Sequence, residues 1–261
     1  MGDNSSGHVG LVYPCYFCIR HSRPRGIVLS AVDFEEPEFI MATRKFDPYN
    51  DPDPDEMEWV IYEKGITKTP FETWLWKNLP SRVRKDEGYG WVCVSNGSEK
   101  RTAYEEEEDF DGLFDSWEEH LEAERPVNYE IIKDLALKHR ILCGKWILFT
   151  DQGGKVDHLW SVIASSVVAD DIPCFSAKVS TFEDDVNHVI CIYNSDFTDK
   201  NEVLESEEAI RNMGLKGRLQ YKPDIYTHLF IYAKNEWKLK PFTMTSQYNL
   251  LTKSSIIKSY V

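Results

Sequence analysis

From residue 59 onward the apolar positions fall into short runs of two distinct periods. Residues 59–62 and 91–94 are brief, nearly continuous apolar runs, the second closed by Asn96-Gly97, and read as strands. Between them, residues 70–79 read as a short helix with Pro70 in the first turn, where a missing N–H costs nothing. Phe110, Leu113, Phe114 and Trp117 recur at helical spacing, which places the acidic block at 105–111 at and before a helix N-terminus, where carboxylates suit the macrodipole. Residues 128–139 predict a second helix with Ile131, Ile132, Leu135 and Ala136 inward, followed by a strand over 145–150. Val156, Leu159, Trp160, Ile163 and Val167 then give the clearest amphipathic helix in the chain. Strands over 175–180 and 188–193 flank the acidic turn Glu183-Asp184-Asp185, a helix over 199–213 stops at Gly214, and strands over 218–221 and 227–233 follow. In the last of these Leu229, Ile231 and Ala233 alternate with His228, Phe230 and Tyr232, so an aromatic, polar face is left for a ligand or for a terminal arm. Strands separated partly by helices and partly by tight turns give an α+β fold, its sheet mostly antiparallel and covered by helices on one side.

Composition narrows the function more than the fold. The chain has 261 residues, 44 Asp+Glu against 30 Lys+Arg and a net charge of −14, which argues against coating DNA or RNA by bulk electrostatics while leaving room for a local basic groove. No apolar run reaches the ~20 residues of a membrane-spanning helix. Six scattered cysteines with no secretory segment before the first indicate a reducing, intracellular and cytoplasmic setting. Cys143, Cys174 and Cys191 read as small core residues. Cys15 and Cys18, with His21 nearby, supply half of a zinc site's spacing but no second pair, so no metal is expected. The Pro-rich acidic run at 47–55 cannot continue a helix or central strand and ends an arm; the expected division is an arm and linker at 1–57, one domain at 58–240 and a tail at 241–261. Gly2 stands in a loose myristoylation context, and Ser259-Tyr260-Val261 has the pattern of a peptide accepted by strand addition.

Catalytic signatures are missing. Gly153-Gly154-Lys155 lacks the other elements of a phosphate loop, no nucleophile elbow or two-histidine zinc helix occurs, and His139, His158 and His188 have no nucleophile or carboxylate partner by spacing. A non-enzymatic protein without a cofactor is the expectation.

Several stretches in one order carry a family resemblance: Leu142-Cys-Gly-Lys-Trp146, Lys155-Val-Asp-His-Leu-Trp160, Ala177-Lys-Val-Ser180, Val189-Ile-Cys-Ile-Tyr193 leading to Asp196-Phe-Thr-Asp199, Ala209-Ile-Arg211 and Tyr221-Lys-Pro-Asp-Ile-Tyr-Thr227. Over residues 59–237 the chain resembles the basophilic leukaemia-expressed protein family, whose domain is similar in fold to the cap-binding translation initiation factor 4E. The resemblance implies a curved antiparallel sheet with about three long helices on its convex face. In the cap-binding relatives the concave side holds a methylated guanine between two tryptophans, an acid reads the base edge and basic residues hold the phosphates. Lys178 looks like the phosphate-binding cation and Tyr193 like the aromatic at the end of the next strand; Lys222 and Tyr226 come from the family-like Lys-Pro-Asp-Ile-Tyr-Thr segment. Glu183, Asp184 and Asp185 stand where those relatives are basic, and no matched pair of loop tryptophans is visible, since Trp146 and Trp160 resemble core residues and Trp74 and Trp76 sit in a helix. The expected function is binding of RNA or a nucleotide on the concave face through Lys178, Tyr193, Lys222 and Tyr226; the alternative is a protein-interaction adaptor using the acidic and convex helical surfaces.

Overall fold

The structure, a computed structural model, describes residues 54–98 and 107–261. The expectations for Gly2, for Cys15, Cys18 and His21, and for most of the acidic run at 47–55 fall outside the described residues. Eight strands form one open, curved sheet: β1 (Glu58–Glu63), β2 (Tyr89–Ser95), β3 (Gly144–Thr150), β4 (Ser176–Ser180), β5 (His188–Asn194), β6 (Leu219–Pro223), β7 (Met244–Asn249) and β8 (Ser254–Ser259). Their order across the sheet is β1-β2-β4-β5-β3-β6-β7-β8, with only β1 and β2 parallel. The α+β class and the mostly antiparallel sheet follow directly.

Among the described residues six α-helices accompany it: α1 (Phe71–Lys77), α2 (Phe110–Glu122), α3 (Tyr129–His139), α4 (Gly154–Ala169), α5 (Lys200–Asn212) and α6 (Asp224–His228). Four of them are long, where the resemblance implied about three. Their starts follow from short polar side chains that satisfy orphan N–H groups: Asp109 accepts from Gly112 N, Asn128 from Ile131 N, and Asp199 from Asn201 N and Glu202 N. Gly214 at φ 92° supplies the left-handed residue just past α5. No described helix is long and apolar enough to cross a membrane.

Helices cover one face. Val92, Val94, Trp146, Leu148, Ala177, Val179, Ile190, Ile192, Leu219 and Tyr221, the inward-facing alternate residues of five central strands, pack in one core with Trp160 and Ile163 of α4 and Ile132 of α3. Trp146 and Trp160 are the core residues anticipated, and Trp146 Nε1 donates to Val203 O at 3.1 Å.

Two expectations are corrected. Residues 227–233 are not a strand: α6 begins at Asp224, Leu229 closes it, and Phe230 at φ 56° takes the left-handed conformation that ends it. Burial nevertheless alternates there, with Leu229 and Ile231 inside and Phe230 and Tyr232 out, because an irregular segment pinned on a core at every second residue mimics a strand's period. Residues 241–261 are not a loose tail, since β7 and β8 form a hairpin that extends the same sheet.

Candidate ligand-binding face

The face opposite the helices carries the other alternate residues, and register places them in rows. One row runs Ser95, Ser176, Tyr193, Lys145, Lys222 across β2, β4, β5, β3 and β6. The next runs Cys93, Lys178, Cys191, Ile147, Gln220, Thr245. Three lysines from three strands, Lys145 of β3, Lys178 of β4 and Lys222 of β6, thus share one face. Lys178, Tyr193 and Lys222 of the expected site are brought together here. Tyr226 is not: it lies in α6 with its ring buried in the main core on the other side of the sheet, where burial pushes its hydroxyl pKa up.

Lys178 is held in a cage. Its ammonium lies 4.0 Å from the Trp91 ring centroid and 4.6 Å from that of Trp59, and donates to Asp55 Oδ1 at 2.9 Å. The rings offer negative π faces and the carboxylate full charge, so this buried cation is satisfied by its own chain. Asp55 can reach it because Pro54 crosses β2 at Gly90, where a Cβ would stand 2.0 Å from Pro54 O. The sequence reading found no tryptophan pair. Trp59 and Trp91 meet only through the parallel β1–β2 register, a pairing of segments thirty residues apart that no local pattern reveals.

At the other end of the row Lys145 and Lys222 face each other across β3 and β6. Lys145 pairs with the buried Asp224 and donates to Thr227 Oγ1 at 3.2 Å, and His228 Nε2 lies 3.7 Å from the second Asp224 oxygen. Burial alone would raise the Asp224 pKa, but the Lys145 charge and the His228 hydrogen bond outweigh it and hold the group well below the carboxylate range. Lys222 is only 6% exposed and has no ion-pairing carboxylate among the described residues. Its ammonium lies 3.9 Å from the ring centroid of Tyr232, and burial, with Lys145 next in effect, brings its pKa down to about 7. Tyr232 and Phe230 are 49% and 48% exposed, so the buried cation sits beside an accessible aromatic edge. Lys145 was read only as a strand residue; nothing in its neighbourhood along the chain announces its place opposite Lys222.

The acidic turn is less repulsive than it reads. Glu183 pairs with Lys85 at 2.8 Å and Asp184 with Arg84 at 3.5 Å. Elsewhere, His139 has the partners that spacing did not disclose: Nδ1 is 2.9 Å from Asp109 Oδ2, and Nε2 is 2.9 Å from Ser116 Oγ, which also accepts from Lys138 Nζ at 2.9 Å. The distances suit a nucleophile–base–acid relay, yet Ser116 stands mid-way along α2, where backbone N–H groups are spent on the helix and none faces its Oγ to hold an oxyanion. Asp109 N also donates to His139 O at 3.0 Å, so the network ties the start of α2 to the end of α3. His188 is buried and its pKa is lowered by desolvation, and burial pushes the Cys174 thiol up to about 12, so that thiol is not a nucleophile at neutral pH. Among the described residues no cluster of His, Cys, Asp and Glu could hold a metal ion.

Comparison with known proteins gives the same family as the ordered motifs: residues 116–230 match the family model of the basophilic leukemia-expressed protein Bles03. Among solved structures, C. elegans eIF4E-3 in complex with the 4E-binding protein Mextli and a cap analog is 12% identical over 37% of this chain and 57% of that one, with a TM-score of 0.30. Ascaris suum eIF4E-3 with an m2,2,7G cap is 12% identical over 32% of this chain and 52% of that one, TM-score 0.29. Schistosome eIF4E with m7GpppA and 4E-BP is 11% identical over 44% and 58%, TM-score 0.31. The chain spans a little over half the length of these structures.

Proposed function

We propose that the protein is a non-enzymatic, intracellular binding protein that takes the phosphate of a nucleotide, free or within RNA, at the Lys145–Lys222 end of the open sheet face. The observation that carries this reading is the register that sets Lys145 directly against Lys222, with the buried carboxylate of Asp224, the first residue of α6, paired to Lys145. Asp224 is engaged by Lys145, so a proton on Lys222 gives the site an excess positive charge that an anion would neutralise in a desolvated setting, where a charge-assisted hydrogen bond is strong. Tyr232 and Phe230 supply accessible rings on which a base can stack, at roughly 1–3 kcal/mol per base. Lys178 is assigned no contact with the ligand, because Asp55, Trp59 and Trp91 already hold it.

Fluorescence titration with guanosine nucleotides, cap analogues and a short single-stranded RNA, at low and physiological salt, tests the proposal. Lys222→Ala should weaken binding at least about tenfold, the worth of a hydrogen bond to a charged group. Wild-type affinity should fall as pH rises above 7, since Lys222 must take up a proton to hold the anion. Absence of binding at both salt concentrations, or binding that Lys222→Ala leaves unchanged, would overturn the assignment.

A further inference from the structure

The two edges of the sheet differ in kind. β1 carries a glutamate at each end, Glu58 and Glu63, so that edge would repel an acidic strand. Among the described residues β8 is outermost on the other side, and alternate residues along it turn their backbone N–H and C=O groups away from β7, with no strand to meet them. Ile256 and Ile257 on it are 59% and 38% exposed, and Leu251 in the preceding turn is 94% exposed. Exposed large apolar side chains gathered on one unpaired edge mark an interaction site. The charge is as unusual as the apolarity: in a chain of net −14, no Asp or Glu follows Glu236, while Lys238, Lys240, Lys253 and Lys258 do. Lys240 and Lys258 converge on the Tyr260 ring, at 4.9 and 5.2 Å from its centroid.

Register puts the lysine on one side of β8 and an isoleucine on each. Lys258 pairs with Thr245 and lies on the open-face side, next to Ile256 opposite Gln247, whereas Ile257 pairs with Ser246 and lies on the helix side with Met244. We propose that β8 is a docking edge for an extended segment of another protein in which acidic and apolar residues alternate, the acids on the side of Lys258 and the apolar residues on the side of Ile257. Main-chain hydrogen bonds supply affinity in such strand addition and the alternate side chains supply selectivity. A second copy of this chain is the poorer occupant, because it would bring an equally basic hairpin to the same edge.

The full-length protein would be titrated with a fluorescein-labelled peptide of alternating valine and glutamate, and with its valine–lysine counterpart. The acidic peptide should bind at least about tenfold more tightly, lose affinity with added salt, and protect alternate β8 amides from hydrogen exchange. Lys258→Glu should reverse the preference between the peptides, and Ile257→Lys, at a position already partly in solvent, should weaken both. Equal binding of the two peptides, binding without protection of β8, no binding, or a dimer in sedimentation that itself protects β8 would each overturn the proposal.

Discussion

Replacing Lys222 by methionine, which keeps the length of the apolar stem and removes the amine, probes the buried charge on which the proposed site depends. In the unfolded chain the amine titrates near its ordinary value of 10.5; in the folded protein it does so at about 7, because burial and the neighbouring Lys145 disfavour the cation. The folded pKa of a base is here depressed, so the unfolded state binds more protons throughout the interval between the two values. Stability therefore rises with pH from about 7 toward 10.5 and is lowest, for this group, where both states carry the proton. Each full unit of pH in that window contributes about 1.4 kcal/mol, and allowing for half-protonation at pH 7 the gain between pH 7 and 8.5 is about 1.6 kcal/mol. Above about 8.5 the trend reverses, since unfolded thiols ionise while Cys174 and Cys191, whose pKa values burial raises, stay protonated in the fold. Urea denaturation at closely spaced pH values should thus show the wild-type free energy gaining about 1.6 kcal/mol on that of Lys222→Met between pH 7 and 8.5 at constant m, with the variant falling slightly as unfolded thiols begin to ionise. A variant with the wild-type slope would show that Lys222 is not a desolvated amine and would remove the basis for placing an anion there.

Two substitutions test the close approaches. Gly144→Ala would set a methyl 2.1 Å from Tyr221 Oη, which is buried and donates to Asn194 Oδ1 at 2.7 Å, so a loss of about 1–3 kcal/mol is expected from thermal or urea unfolding. Gly90→Val would displace Pro54 and carry Asp55 away from Lys178, leaving a caged cation without its carboxylate; a loss of about 3–5 kcal/mol, together with altered fluorescence of Trp59 and Trp91, is expected, and an unchanged stability would show that the rings alone suffice.

What the sequence disclosed was local. Phe110, Leu113, Phe114 and Trp117 located α2, Ile131, Ile132, Leu135 and Ala136 located α3, and Gly214 located the end of α5, because helical periods and stops act over a few residues. The hairpin of β7 and β8 was missed because its segments, Met-Thr-Ser-Gln-Tyr-Asn and Ser-Ser-Ile-Ile-Lys-Ser, are largely polar and lie at an edge where one strand needs little burial. Segment 227–233 was misread because alternation is necessary for a strand but not sufficient. The site was legible only in part: Lys178, Tyr193 and Lys222 were named from motifs, whereas Lys145, Trp59 and Trp91 acquire their surroundings from register between strands distant in the chain, and Asp55 from the close pass of Pro54 over Gly90. The same holds for His139, whose partners come from another helix.

The carboxylate of Glu207 in α5 accepts from Arg211 Nε, Ser246 Oγ and Ser255 Oγ at 2.7, 2.5 and 2.8 Å, and Arg211 also donates to Ser246 O. β7 meets β6 at only three registered pairs but meets β8 at six. The hairpin is thus more strongly a unit with itself than with the sheet, and a pair of α5 residues, Glu207 and Arg211, rivets it in place. Cutting that rivet, as in Glu207→Leu, would turn the last two strands into a separately opening flap whose amides exchange together and ahead of β3 and β5, so the cooperative boundary of the fold lies along the β6–β7 seam, inside a sheet that looks continuous.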